Sequence, residues 1–234
     1  MQRIDERWND TAPARAVAWS ETQGAALPAA NRVLRNTYVL LALTLAFSAL
    51  TAGVSMALKL PHPGLIITLV GYFGLLFLVQ RLANQASGIL AVFALTGFMG
   101  YTLGPILSAY LALPNGPAVV MQAFGGTAAI FLGLSAYATI SKRDFSFMGG
   151  FLFVGVLVAF LAGLGAIFFH LPALSLAVSA MFVLLMSGMI LFETSQIVRG
   201  GETNYILATV SLYVTIFNLF TSLLQLLGVF NGDD

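Results

Sequence analysis

The chain contains no cysteine. That absence excludes disulfides, thiolate metal sites and cysteine nucleophiles, and it carries no information about compartment. Charge is also scarce. Asp, Glu, Lys and Arg together make up 8% of the residues, against about 25% in an ordinary soluble domain. Hydrophobic residues make up 59%, and the mean hydropathy is +0.94. Too few polar side chains remain to cover a water-facing surface, so a bilayer must supply the outer solvent. The net charge of +1 comes without a basic patch interleaved with aromatics, which argues against nucleic acid as a partner. Catalytic signatures are missing as well. There is no H-E-x-x-H, no G-x-S-x-G, no P-loop lysine and no pair of membrane-embedded aspartates. The expectation is a protein that is not an enzyme and has no resident cofactor or metal. No cleavable signal peptide is expected, because the first thirty-odd residues are polar and the first apolar run is long enough to be a true span.

What is present is a close succession of apolar runs. A span needs ~20 residues, so 234 residues hold six or seven spans and little else. The runs are Tyr38–Leu58, Gly64–Val79, Gly88–Leu111, Pro117–Ile140, Phe147–Phe169, Pro172–Ile197 and Tyr205–Val229. The reading is an all-α membrane protein, a seven-transmembrane-helix bundle of residues 37–230. It is flanked by an N-terminal tail of residues 1–36 and a short C-terminal tail of residues 231–234. Pro13 and Pro28 are expected to interrupt any long helix in the first tail. Orientation follows from lysine and arginine. Five arginines lie in the tail, and Arg81, Lys142, Arg143 and Arg199 follow the second, fourth and sixth spans. With seven spans these nine share one side and only Lys59 falls on the other. That places the N-terminus in the cytoplasm and the C-terminus in the periplasm. The three outer turns carry proline (Pro61 and Pro63, Pro114 and Pro117, Pro172), while the inner turns carry charge.

Small residues point to close helix contact. Gly71 and Gly74, then Gly97, Gly100 and Gly104, then Gly125, Gly126 and Gly133 recur at helical spacing, and helices in lipid associate through close backbone approach. Gly104-Pro105 is expected to break or kink the third helix. Chemistry centres on Glu193, the one carboxylate inside any of these runs. An ionised side chain at mid-bilayer costs ~3 kcal/mol on insertion scales, so it turns toward the bundle interior or water, or reaches the nearby interface. Arg199, Arg81 and Arg143 are its candidate arginine partners. A glutamate balanced between desolvation and such a partner can serve as a proton switch. On the seventh run Ser211, Thr215, Asn218, Ser222 and Gln225 follow steps of four, three, four and three, which is one helical stripe. This stripe either hydrogen-bonds a neighbouring helix or lines an aqueous path. Glu193, Ser211, Thr215 and Asn218 thus form a candidate intramembrane proton or cation site. His62 and His170 lie in outer turns, where they can sense pH or simply meet solvent.

The stretches Arg32–Tyr38, GFMGYTLGP at Gly97–Pro105, SKRDFSFMGG at Ser141–Gly150 and FETSQIVRGGETNYILATVSLYVTIFNLF at Phe192–Phe220 carry a resemblance. From Arg32 to about Phe230 the chain resembles the Bax-inhibitor family of membrane proteins, in particular its bacterial YccA branch. The resemblance implies a seven-helix fold with the last helix central. For that branch it implies a protein of the cell inner membrane that binds and modulates the membrane AAA protease FtsH, with the N-terminal tail as the element engaged. For other members it implies a pH-dependent leak of calcium or other cations, gated by two acidic residues that share protons. Glu193 matches the first acidic position. The second falls on Thr215, which does not ionise, so the coupled titration of a carboxylate pair is lost.

Overall fold

The structure, a computed structural model, describes residues 11–230, with side chains described from residue 31 onward. The expected tail at 231–234 and the first ten residues lie outside that range. Each apolar run becomes one helix, because a backbone in lipid must satisfy its N–H and C=O groups within the segment. The helices are α1 (Thr11–Ala57), α2 (Leu65–Leu82), α3 (Ser87–Leu111), α4 (Gly116–Ser141), α5 (Gly149–Phe168, entered through a single 3₁₀ turn at Ser146–Met148), α6 (Pro172–Val198) and α7 (Tyr205–Phe230). No strand occurs among the described residues. All seven are long and apolar enough to cross a bilayer. The chain is a seven-span all-α membrane protein.

Boundaries agree with the apolar runs to within three residues, except at the start of the first. The membrane-crossing part of α1 begins at Asn31 rather than Tyr38. Arg32 and Arg35 sit in its opening turns, where long cationic side chains reach the interface while their stems stay on the helix. The larger correction lies upstream. Neither Pro13 nor Pro28 interrupts the helix, which runs unbroken from Thr11 and crosses position 36/37 without a break. Pro13 falls in the first turn, where the missing N–H would be unpaired anyway. Pro28 removes one interior hydrogen bond that the rest of a 47-residue helix outweighs.

Helix α7 is the axis of the bundle. In its most apolar window 61% of residues are buried, against 6% in α2. It packs against α6, α4, α1 and α3, whereas α2 packs chiefly on α3 and α5 chiefly on α6. The outer faces of α2 and α5 present Ile66, Val70, Phe77, Phe151 and Phe153, all exposed. In a bilayer that is the lipid-facing surface.

The α1–α3 contact is the most extensive between helices among the described residues, and glycine allows its close approach. A Cβ on Gly97 would lie 2.8 Å from the Phe47 ring, and one on Gly104 would lie 2.5 Å from Ser55 Cβ and 2.9 Å from the Ala52 carbonyl. Gly100 sits against the Ser48 carbonyl in the same way. Gly71 likewise admits the Phe98 ring. Gly74, Gly125 and Gly133 correct the expectation: nothing lies within 4 Å of the position their Cβ would take.

Gly104-Pro105 does not break α3, which continues from Ser87 to Leu111 with Pro105 inside it. Pro105 lacks the N–H that would bond the Tyr101 carbonyl four residues back. Across the interface the Ser55 hydroxyl donates to that carbonyl at 3.1 Å. The close approach allowed by Gly104 thus brings in the donor that replaces the one Pro105 removed. Ser55→Ala is expected to cost about 0.6–1.7 kcal/mol in reversible unfolding from mixed micelles. Gly104→Leu, which separates the helices and also strands the carbonyl, is expected to cost more.

Candidate functional site

The α6–α7 hairpin builds the site. Pro172 opens α6 in its first turn, and α6 ends in a turn that needs a left-handed residue, which Gly200 supplies with φ 76°. The Gly201 N–H then donates to the Gln196 carbonyl at 2.8 Å. Only six residues, 199–204, connect α6 to α7, so the helices must lie antiparallel and adjacent. Asn204 closes the connection. Its Oδ1 accepts the N–H groups of Ile206 (2.9 Å) and Leu207 (3.3 Å), capping α7. Its Nδ2 donates to the Ala83 carbonyl (3.0 Å) and to Asn84 Oδ1 (2.9 Å), fastening α7 to the end of α2.

Within this hairpin Glu193 turns onto α7 and is 7% exposed. The Thr215 hydroxyl donates to both carboxylate oxygens, at 3.0 and 3.1 Å. The Ser211 hydroxyl donates to Oε1 in a short hydrogen bond. Ser211 and Thr215 are four residues apart, so both hydroxyls meet one carboxylate from one helix face. A hydroxyl can also accept, so the same pair of groups serves the carboxylate or its protonated form without rearrangement.

The arginine partners do not appear. Among the described residues Glu193 has no ion pair. Arg199 pairs instead with Asp144 at 3.1 Å, with both side chains about half exposed. Arg143 contributes its main chain, whose carbonyl accepts from the Ser195 hydroxyl at 3.0 Å, and Arg81 is exposed at the end of α2. The reason is geometric. These arginines lie in or just after the last turns of their helices, while Glu193 sits more than a turn inside α6 and faces inward. Hydrogen bonds from the Ser146 hydroxyl and amide, with Arg199 alongside, hold the Asp144 carboxyl below the usual carboxylate range.

Asn218 is a second correction. Its Nδ2 donates to the Val214 carbonyl of its own helix at 2.8 Å and not to Glu193. The rest of the stripe turns inward to α6: Ser179 donates to Gln225 Oε1 at 2.7 Å, Gln225 Nε2 donates to Ser175 at 2.5 Å, and Ser222 is buried. The stripe is therefore a hydrogen-bonded seam at both ends. At its middle and at the Glu193 end, Ser211, Thr215 and Asn218 border a cavity of about 710 Å³ between α2, α5, α6 and α7. Phe73 and Phe160 close one side of it, edge to face at 6.0 Å.

Glu202 and Gln80 border the same cavity, and the sequence reading missed both. Glu202 lies on the α6–α7 connection, outside every apolar run, and only the hairpin geometry brings it beside the site of Glu193. The two histidines stay apart from all of this. His62 Nδ1 accepts the Gly64 N–H at 3.0 Å within its own turn, and His170 follows α5 on the surface. No cluster of three metal-ligating side chains occurs among the described residues.

The sequence profile described as "Inhibitor of apoptosis-promoting Bax1" matches residues 30–232. The chain belongs to that family. Among its relatives, a protein of Escherichia coli named "Modulator of FtsH protease YccA" is 56% identical over 203 residues, covering 87% of this chain and 92% of the relative. An uncharacterised protein of Pseudomonas aeruginosa is 56% identical over 202 residues, covering 86% and 91%. A membrane protein of Vibrio cholerae is 49% identical over 205 residues, covering 87% and 92%. With its seven spans the chain is a multi-pass protein of the inner membrane. The family match begins at residue 30, so most of the N-terminal tail lies outside it.

Thr215→Val keeps the shape of the side chain and leaves Glu193 with the Ser211 donor alone. A buried acceptor stripped of a partner costs about 1–3 kcal/mol, and unfolding in detergent is expected to show a loss in that range. Thr215→Ser, which keeps the hydroxyl, is expected to recover most of it.

Proposed function

We propose that this chain is a non-catalytic modulator of the membrane AAA protease FtsH, bound to it within the inner membrane. The observation that carries the reading is the 56% identity, over nearly the full length of both chains, to the relative named for that activity. The site supports binding over catalysis. The carboxylate of Glu193 is engaged by two hydroxyls, and no metal-ligating cluster accompanies it among the described residues. In the proposed orientation the arginine-rich tail faces the cytoplasm and the C-terminus the periplasm. The tail of residues 1–36, helical from Thr11, is the handle the protease engages. Deletion of residues 2–30 is expected to lengthen the lifetime of the protein severalfold in cells containing FtsH and to leave it unchanged in cells without the protease. Crosslinking in native membranes that recovers the protein but never FtsH would overturn the reading.

A second reading is favoured by one specific observation. The 710 Å³ cavity brings Glu193, Glu202, Gln80 and Asn218 to a common space, which suits a slow leak of calcium or another cation as transported ion rather than resident cofactor. Calcium flux into proteoliposomes, measured at acidic and neutral pH, separates the two readings. A leak through this site is expected to fall in Glu193→Gln and to gain pH dependence in Thr215→Asp, which restores a coupled carboxylate pair. Flux equal to that of empty vesicles in all three proteins would eliminate it.

A further inference from the structure

A second recess lies on the opposite face of α7. Helices α1 and α4 both pack on α7 but make little contact with each other, which leaves a groove between them. Its first stretch is a cavity of about 590 Å³ walled by Ala49, Gly53, Phe124 and Phe217. Its second, about 520 Å³, runs past Tyr38 to Asn31, Arg35 and Thr139. Leu132 borders both, so they are successive parts of one groove. Between them Tyr38 forms the floor, its hydroxyl against Ser135 and its ring 6.0 Å from that of Phe131.

The chemistry of the groove changes along its length. In the first stretch the hydroxyls are already engaged: Ser48 and Tyr213 share a hydrogen bond of 2.7 Å, and Thr127 donates to the Ala123 carbonyl at 2.7 Å. What remains is apolar, and such a space does not hold water. It opens sideways, since Phe124 and Leu132 on its rim are 63% and 62% exposed, and nothing fills the space over Gly53. The walls are membrane spans, so the neighbouring medium is lipid. At the other end Arg35 is exposed and makes no ion pair among the described residues. Arg32 lies one turn earlier on the same face of α1. Guanidinium groups match phosphate oxygens in charge and in fork geometry.

The lengths agree. Leu45, where the apolar stretch begins, lies ten residues along α1 from Arg35. That is ~15 Å of helix, about half of a hydrocarbon core ~30 Å thick. A headgroup at Arg35 therefore places its acyl chain alongside Tyr38 and Leu132 and ends it in the apolar stretch.

We propose that the α1–α4 groove is a binding site for one anionic glycerophospholipid of the leaflet on the Arg35 side, with its phosphate held by Arg35 and Arg32 and one acyl chain laid between α1 and α4. A helix of another protein would fill the apolar stretch equally well, but it would leave the two arginines at the interface without an anion.

Native mass spectrometry of the full-length, delipidated protein tests this, titrating phosphatidylglycerol against phosphatidylcholine with the same acyl chains. The wild type is expected to take up one phosphatidylglycerol in preference, by about five-fold for each arginine engaged. Arg32→Gln with Arg35→Gln changes only exposed side chains and is expected to abolish the preference while phosphatidylcholine still binds. Ala49→Phe, which fills the groove from an exposed position, is expected to weaken both lipids. Millimolar inorganic phosphate is expected not to displace the lipid, because it lacks the chain. Equal uptake of both lipids by all three proteins would mean an unselective lipid shell and overturn the proposal. A wild-type dimer that Ala49→Phe dissociates would also overturn it, assigning the groove to a second copy of the chain.

Discussion

Every polar group that α7 carries into the hydrocarbon region has to find its partner inside the bundle, and the arrangement of the other helices follows from how that demand is met. Water is not available there, and an unsatisfied group costs several kcal/mol. Helix α7 carries hydroxyls and amides along much of its length. Ser211 and Thr215 go to Glu193 on α6, Gln225 goes to Ser175 and Ser179 on α6, and Tyr213 goes to Ser48 on α1. Asn204 ties its start to the end of α2. Helix α7 thereby becomes the most buried of the seven, and α5, which carries no polar side chain, is left at the rim with α2.

The same constraint explains why this bundle is not uniformly packed. Where hydrogen bonds and glycines bring helices together, as between α1 and α3, backbones nearly touch and Ser55 reaches a carbonyl that Pro105 has left open. Where neither acts, gaps persist. One lies between α2 and α5 and is bordered by Glu193, and the other lies between α1 and α4 and is apolar. In a soluble protein such gaps would collapse under the hydrophobic effect. In lipid that force between helices is absent, so recesses bordered by the bilayer survive and can take ligands.

A buried carboxylate without a cationic partner is costly to keep unless it does something or is fully hydrogen-bonded. Here two hydroxyls from one helix face meet it, and a cavity borders it. That combination fits a residue that holds α6 to α7 while staying within reach of protons or cations.

The amino-acid sequence by itself determined the seven spans, their antiparallel alternation and the grouping of lysine and arginine at one end. These follow from local hydropathy and from the cost of charge in lipid, which each segment meets alone. It also determined that Glu193 and the stripe on α7 would turn inward. Only the tertiary structure decided what they would meet. The candidate arginines sit at helix ends, where Arg199 pairs with Asp144, because depth in the bundle is set by helix packing. Glu202 joins the site because a six-residue connection folds it back, and Asn218 donates to the Val214 carbonyl of its own helix. The helix through Pro13 and Pro28, and the continuity of α3 through Pro105, were likewise decided in three dimensions. Proline removes a donor locally, but whether the helix ends there depends on the turns and neighbours that stabilise what remains.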